Sequence, residues 1–212
     1  MSEPGLYGLN DYRMKNIETK RITIIRHGKP QAHHEYPLFK ILKGSEIETF
    51  IHAWNTCELS LENEIPEKLK TVVAEADIFI SSKLKRTIDS FRLLGVKEFS
   101  SLELLNEAEL PSGFLKRLKM PFIFWGILIR LSWRAGLKIN SESYKEFKVR
   151  IQKAAVHLEA ISKDSMHIIV MGHGVVNWQL KKELTKRKWK RVFNCGGRSY
   201  WSFDTYEKTV SS

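Results

Sequence analysis

The chain has 212 residues, of which 42% are hydrophobic and 28% are charged, and this predicts a single globular domain over residues 1–212. The longest uncharged apolar run, Met120–Ile129, is too short to span a membrane. The two cysteines make neither a disulfide framework nor a plausible zinc site, so a cytoplasmic setting is predicted. The net charge of +11 favours phosphorylated partners, nucleic acid or an anionic membrane surface without choosing among them.

The first predicted strand leads into a motif that suits phosphate chemistry. Residues 1–20 are polar and are predicted to be an N-terminal extension rather than a secretory signal. Arg21–Ile25 alternates like a strand, which Arg26-His27-Gly28 ends abruptly. Arginine forms a fork that suits phosphate oxygens, and a neutral imidazole can attack phosphorus. An isolated motif of this kind is more often a loop histidine beside a surface charge, so the remainder of the chain decides between the two interpretations.

A loop and two helices follow. Gln31–Ser45 resembles a loop and holds His33 and His34, but no third ligand stands at a recognisable spacing, so no metal site is predicted. Apolar residues at three- and four-residue intervals predict a helix over Glu46–Cys57. Pro66 suits the first turn of a second helix that runs to about Ala76.

A second strand end carries another arginine. Asp77–Ser81 is a compact apolar strand, and a helix begins after it and continues to about Leu94. Arg86 lies in the first turn of that helix, where free N–H groups and the helix dipole favour anions. The alternative is an ordinary helix start with Ser82 as its N-cap and the basic residues facing water.

A carboxylate follows the third predicted strand. Phe99–Leu105 is a weaker strand candidate, and Glu107 comes at the turn after it, where it can serve as a general acid. Glu103 is expected to lie within the strand, and Glu109 in the turn before a proline is the alternative acid. Each of these carboxylates is equally compatible with a solvated loop charge.

Residues 110–140 are predicted to form a helical insertion, here called the cap. This segment has six basic residues, no acidic residue and many aromatic ones. A helix over Pro121–Ala135 is apolar on more than one face. A lid over the active-site edge is the favoured interpretation, and a basic, aromatic-rich interfacial helix is its competitor.

The last part of the chain supplies a second histidine. A long helix over Glu142–Ser162 precedes an apolar strand, Met166–Val170, which leads into Gly172-His173-Gly174. The main-chain N–H of Gly174, at the start of a helix over Val175–Leu184, is a candidate phosphate donor. A basic run over residues 186–191 is usually a solvated face, although contact with RNA or lipid is the alternative; a final strand is predicted over residues 200–206.

The alternation of strands and helices predicts a three-layer α/β/α fold with a mostly parallel central sheet and a helical cap. The strand ends meet at one edge of such a sheet, where ligands bind. That edge would collect chemistry-bearing residues from four separate strands: Arg26, His27, Arg86, Glu107 and His173.

These motifs together resemble the histidine phosphatase superfamily, which has the phosphoglycerate mutase-like fold. Arg26-His27-Gly28 resembles its nucleophile motif, the segment from Ser81 to Thr87 its second arginine motif, and Gly172-His173-Gly174 its second histidine motif. The segment from Leu104 to Glu107 resembles its acid segment, and Glu142-Ser143 a pair that opens a late helix. The matches follow the family's order over about three quarters of the chain.

The resemblance implies a two-step phosphoryl transfer that needs neither a metal nor another cofactor. His27 would be the nucleophile and Glu107 the acid and then the base, while Arg26, Arg86, His173 and the N–H of Gly174 would hold the phosphate. His173 is expected to act as imidazolium beside a dianionic phosphate. The implied substrate is a small phosphorylated molecule or a phosphoprotein, and membrane or nucleic-acid contact is the less favoured alternative.

Lys29, Pro30 and Gln31 depart from the glutamate, threonine and later asparagine that often follow the nucleophile motif in the family. Together with the basic, aromatic cap, this departure favours a phosphatase. A phosphomutase of the same fold and a non-catalytic module that binds phosphorylated ligands or nucleic acid are the alternatives.

Overall fold

The structure, a computed structural model, describes residues 17–31, 36–60, 62 and 64–211, so the loop histidines His33 and His34 lie outside it. The strands are β1 (Ile17–Arg26), β2 (Ile41–Lys43), β3 (Ile78–Ser81), β4 (Ser100–Ser101), β5 (Lys119–Pro121), β6 (His167–Gly172), β7 (Lys190–Cys195) and β8 (Phe203–Ser211). The helices are α1 (Gly44–Thr56), α2 (Glu67–Ala74), α3 (Lys85–Leu93), α4 (Phe122–Arg134), α5 (Tyr144–Ile161) and α6 (Gly174–Lys186), and a 3₁₀ turn covers Glu103–Leu105.

Within the described residues, the central sheet has six strands in the order β4-β3-β6-β1-β8-β7. The strands from β4 to β1 are parallel, whereas β8 runs antiparallel to both β1 and β7. The predicted mixed α/β fold with a mostly parallel sheet is therefore confirmed. Since β1, β3, β4 and β6 are parallel, the segments that follow them emerge at the same edge.

Alternation along the strands builds one core on each face of the sheet. Ile22 and Ile24 of β1 pack with Phe147 and Ile151 of α5, which belong to the first core. The next residue, Ile25, faces the opposite way into the second core. That core also contains residues of α2, α3, β6 and β8: Leu69, Val73, Phe91, Ile169, Met171 and Phe203.

The predicted helices are confirmed with small changes at their ends. The long helix α5 begins after Ser143, whose hydroxyl accepts the N–H of Glu146, while the Glu146 carboxylate accepts the N–H of Ser143. This reciprocal capping box explains why the helix starts there. Helix α3 has Leu84 rather than Ser82 at its N-cap position, although the Ser82 hydroxyl accepts the N–H of Leu84.

The third predicted strand, Phe99–Leu105, is mostly wrong. Only Ser100–Ser101 pairs with β3, and the chain turns after Leu102 donates its N–H to the carbonyl of Ser81. Glu103 consequently lies in the 3₁₀ turn rather than in a strand. This two-residue edge strand pairs few backbone groups, and the leucines that follow it, among them Leu105, pack into the core from a turn.

Three strands of the described residues, β2, β5 and β7, appear where the sequence predicted none. The basic run ends in β7, an exposed strand at the edge of the sheet. Charged residues are common on such edges because they oppose pairing with another chain, and here they obscure the alternation of apolar and polar residues that predicts a strand. The predicted loop over residues 31–45 contains β2, which pairs with β5 of the cap in a two-stranded ribbon. Such pairing depends on partners far apart in sequence, which local patterns do not show.

The ribbon and two helices enclose a third, smaller core. Leu42, Ile47, Trp125 and Ile129 are buried together, and the indole N–H of Trp125 donates to the carbonyl of Leu42 at 2.9 Å. The cap helix α4 is thereby fixed to β2 and α1. Among the described residues, no helix combines the length and the apolar character needed to cross a bilayer.

Candidate active site

His27 follows the last residue of β1 and is buried, with 1% of its surface exposed. Its Nδ1 lies 2.7 Å from the carbonyl oxygen of Gly28. A carbonyl only accepts, so Nδ1 carries the proton and the lone pair is on Nε2. The N–H of Gly28 donates to the hydroxyl of Ser90 in α3 at 2.9 Å, which fixes the turn. Burial lowers the pKa of His27 well below its usual value, and the nearby charges of Arg86 and Arg26 lower it further. The ring is therefore neutral.

His173 comes at the end of β6, and its ring centroid lies 5.1 Å from that of His27. The Nε–H of Arg86 donates to its Nδ1 at 3.2 Å, so Nε2 carries the proton and donates to the hydroxyl of Ser82 at 2.7 Å. The Thr87 hydroxyl donates its proton to a main-chain carbonyl, so it accepts from the Ser82 hydroxyl. The hydrogen bonds therefore run in one direction, from His173 through Ser82 to Thr87.

The protonation of His173 depends on what lies beside it, and the imidazolium expected beside a phosphate stays a prediction. Burial lowers its pKa well below the usual value, and the positive charge of Arg86 adds to this effect. In this arrangement the ring is neutral and both ring nitrogens have partners. Because only Nε2 carries a proton, His173 can donate to a phosphate oxygen by exchanging Ser82 for it, whereas Nδ1 would first have to release Arg86 and take up a proton.

The positive charges of both predicted arginines act on the two histidines. Arg86, in the first turn of α3, is fully buried, and its Nη1 donates to the carbonyl of Trp54 at the end of α1. The Arg26 guanidinium stacks on the ring of Tyr200 at 4.4 Å and donates from Nη1 to the carbonyl of Arg198. Its buried Nε has no hydrogen-bond partner in the described part of the chain.

Gly174 opens α6 directly beside Arg26. A Cβ atom on Gly174 would lie 3.7 Å from the central carbon of that guanidinium, so a side chain here would contact it. Gly172 has a different reason to be glycine, since a Cβ there would lie 2.3 Å from the amide oxygen of Asn177. The Asn177 amide in turn donates to the carbonyl of Ile25, which joins α6 to the end of β1.

Of the three candidate acids, Glu107 has the clearest electrostatic link to this group. Burial lowers the pKa of Arg86, and the half-buried carboxylate of Glu107 opposes that shift. Glu103 is exposed and pairs with Lys83 at 2.8 Å. Glu109 is exposed, and its main-chain N–H donates to Glu142.

An arginine of α5 holds the loop that carries Glu107. Nη1 of Arg150 donates to the carbonyls of Leu104 at 2.7 Å and Asn106 at 2.9 Å, on the chain just before Glu107. The same guanidinium makes a two-pronged ion pair with Glu142. Arg150 thus explains why the Glu142-Ser143 pair lies near the acid segment.

The sequence predictions missed several groups at this edge. Tyr200, predicted as the start of the last strand, lies instead in the turn between β7 and β8, with its ring centroid 5.8 Å from that of His27. Main-chain carbonyls, such as that of Trp54, carry no signature in the sequence. Arg150 stands seven residues after Ser143, about two helical turns along the same face, and this spacing was the signal available in the sequence.

No group of three His, Cys, Asp or Glu side chains within the described ranges is arranged to hold a metal ion. The histidines at positions 33 and 34 lie outside those ranges, and the absence of a metal requirement stays a prediction.

The topology and the histidine-arginine edge define a phosphoglycerate mutase-like fold, the fold of histidine phosphatases, which confirms the fold implied by the sequence motifs. Phosphoglycerate mutase from Bacillus anthracis superposes with a TM-score of 0.56 and 15% identity, covering 92% of this chain and 93% of that chain. A mycobacterial glucosyl-3-phosphoglycerate phosphatase solved with VO3 gives 0.55 and 18%, covering 91% and 98%.

A mutant phosphoserine phosphatase from Entamoeba histolytica, solved with phosphoserine, gives a TM-score of 0.53 and 16% identity, covering 91% of this chain and 95% of that chain. No protein-family model matches the chain, and no curated protein matches its sequence. At these identities the similarity establishes the fold, and the chemistry has to be argued from the site.

The depressed pKa values of His27 and His173 predict a stability that falls in acid. Below pH 6.5 these two histidines bind protons in the unfolded chain but stay neutral in the folded protein, so the free energy of unfolding decreases from pH 6.5 downward. Each ring contributes at most about 1.4 kcal/mol per pH unit in this window. Urea unfolding at several pH values in phosphate-free buffer measures the slope, which His27→Gln and His173→Gln should each reduce.

The matched control is His157→Gln, because His157 is exposed on α5 and its replacement should leave the slope as in the wild type. A slope that neither buried substitution changes would show that other groups cause the acid sensitivity.

Proposed function

We propose that this protein is a metal-independent phosphomonoester hydrolase that forms a phosphohistidine on His27. One observation carries the proposal: a buried imidazole that is neutral, with its lone pair on Nε2, lies within the electrostatic influence of two arginine guanidiniums and beside a second imidazole. A neutral ring is the nucleophilic form, and arginines neutralise the charge of the transferred phosphoryl group.

In the first step, Nε2 of His27 attacks phosphorus in line with the ester oxygen. The P–N bond forms while the P–O bond to the leaving group breaks, and Glu107 gives its proton to the departing oxygen. Arg26 and Arg86 bind the equatorial oxygens, with the N–H of Gly174 and His173 as further donors. The Nε–H of Arg26, buried without a partner within the described residues, suits such an oxygen.

In the second step, water attacks the phosphohistidine. Glu107, now a carboxylate, accepts a proton from the water while the P–N bond breaks, so inorganic phosphate leaves and His27 and Glu107 return to their starting states. Arg150 acts through Glu107 by holding the carbonyls of Leu104 and Asn106. It is a positioning residue.

A hydrolase is favoured over a mutase by the chain that follows the nucleophile. Lys29 and Gln31 use their main-chain groups to pair with Ser60 and Glu58, so this segment is tied to the strand-like stretch after α1. It lacks the residues that often follow the motif in the family. The proposed substrate is a small phosphorylated molecule, the proposed setting is the cytoplasm, and residues 1–212 are proposed to act as one domain.

The phosphoenzyme is the direct test of the proposal. Rapid acid-free quench of the enzyme with ³²P-labelled substrate in EDTA should trap a base-stable, acid-labile phosphoenzyme, because phosphoramidates hydrolyse in acid. His27→Ala should not form it. Phosphate should be the labelled product, whereas a mutase would return the label to an organic acceptor. A phosphoenzyme that persists in His27→Ala, or activity that requires a divalent ion, would refute the mechanism.

The dependence of the rate on the basicity of the leaving group shows which carboxylate is the general acid. A general acid matters most when the leaving oxygen is basic, so Glu107→Gln should slow hydrolysis of an alkyl phosphate by a factor on the order of 10²–10⁴. Hydrolysis of p-nitrophenyl phosphate should be spared much more. Glu109→Gln is the matched control, because Glu109 is exposed two residues away and should change neither rate greatly. If Glu109→Gln instead shows the leaving-group dependence, then Glu109 is the acid.

A further inference from the structure

The outer surface of the cap exposes apolar side chains that the fold leaves uncovered. Phe124, Ile127 and Leu131 of α4 are 54%, 50% and 58% exposed, and their spacing of three and four residues puts them on one face of the helix. The opposite face carries Trp125, Ile129 and Trp133, which are buried. Helix α4 is therefore apolar on both sides, although only one side has a partner within the described ranges.

A second apolar stretch adjoins the start of this helix. Leu38, Phe39 and Ile41 are all exposed, Phe39 by 78%. The carbonyl of Leu38 accepts the N–H of Ile123, so the stretch runs directly beside the first turn of α4. More than half of the exposed large apolar side chains in the described part of the chain lie on the cap and this adjoining stretch, and patches of this kind mark interaction sites.

Basic residues border the apolar face. Lys116, Arg117 and Lys119 are exposed in and before β5, and Arg130 and Arg134 follow along α4. Residues 110–141 contain no acidic side chain. The adjoining helix α1 contributes two carboxylates, but one caps its own helix by accepting the N–H of Lys43 and the other lies against Gly113.

We infer that this surface, formed by the outer face of α4, residues 38–41 and the basic loop at 116–119, docks the protein on an anionic membrane surface. Apolar side chains at the level of the lipid headgroups, flanked by lysine and arginine, are the combination that binds an interfacial helix to anionic lipid. The net charge of +11 attracts the protein to the same surface.

Charge complementarity decides against two other occupants. A second copy of the chain docked through this surface would bring its lysines and arginines against an identical basic patch, and like charges across an interface oppose association. A nucleic acid would meet the positive charges and its bases can stack on a phenylalanine, but it leaves the isoleucine and leucine of the exposed face without an apolar partner.

Vesicle flotation tests the inference with the full chain. The protein should float with vesicles of equal parts phosphatidylcholine and phosphatidylglycerol, less with phosphatidylcholine alone, and less at high salt. Combining Phe124→Ser, Ile127→Ser and Leu131→Ser should reduce the fraction bound to the anionic vesicles at least about tenfold, because the buried apolar area is lost. These residues lie outside the proposed catalytic group, so hydrolysis of p-nitrophenyl phosphate should be retained and reports that the variant is folded.

The apolar control is Leu93→Ser with Val149→Ser and Val156→Ser, which removes three exposed apolar side chains on α3 and α5. This variant should bind vesicles like the wild type. An equal loss of binding in the control would overturn the inference, because general stickiness would then explain the flotation.

A charge pair of variants tests the basic border separately. Lys116→Glu with Lys119→Glu should weaken flotation, whereas Lys188→Glu with Lys190→Glu makes the same charge change in the other basic run and should not. The inference fails if the wild type does not bind anionic vesicles, if both charge variants lose binding equally, or if sedimentation shows a dimer that the α4 variant breaks.

Discussion

The arrangement of the candidate site depends on the buried guanidinium of Arg86. It donates to Nδ1 of His173 and to the carbonyl of Trp54 at the end of α1, and so links the sheet edge to a helix against which the cap packs. Removing such a charge from water costs roughly several kcal/mol, which partner groups must offset. Because arginine only donates, its bond to His173 also fixes the tautomer of that ring. The same positive charge helps to keep His27 and His173 neutral.

The charges of the two arginines explain why two neutral histidines are compatible with an anion site. The positive charge comes from Arg26 and Arg86, which stay charged at any physiological pH, while the imidazoles stay available as nucleophile and hydrogen-bonding group. Tyr200 stacks on the Arg26 guanidinium and limits its orientations without neutralising it. Arg150 has an equivalent effect on the acid loop, since it fixes main-chain carbonyls and leaves the Glu107 carboxylate to act on Arg86.

The sequence predicted those site residues whose positions depend on patterns among residues close together in the chain. Arg26, His27, Arg86 and His173 each follow a strand with clear apolar character, and a parallel sheet brings such positions to one edge. Three features lay beyond these patterns. The ribbon of β2 and β5 joins segments about 80 residues apart, β7 hides its period beneath charge, and the third strand is only two residues long. Tyr200 and Arg150 reach the site through a turn and a helix whose docking only the tertiary structure defines.

A crystal structure with orthovanadate would test the central claim most directly, because vanadate adopts the trigonal bipyramidal geometry of phosphoryl transfer. The account predicts vanadium bonded to Nε2 of His27, with equatorial oxygens within hydrogen-bond distance of Arg26 and Arg86 and the Glu107 carboxylate beside the apical oxygen opposite His27. Vanadate bound at the basic run of residues 186–191, or held by the arginines but remote from Nε2, would contradict the assignment of His27 as the nucleophile.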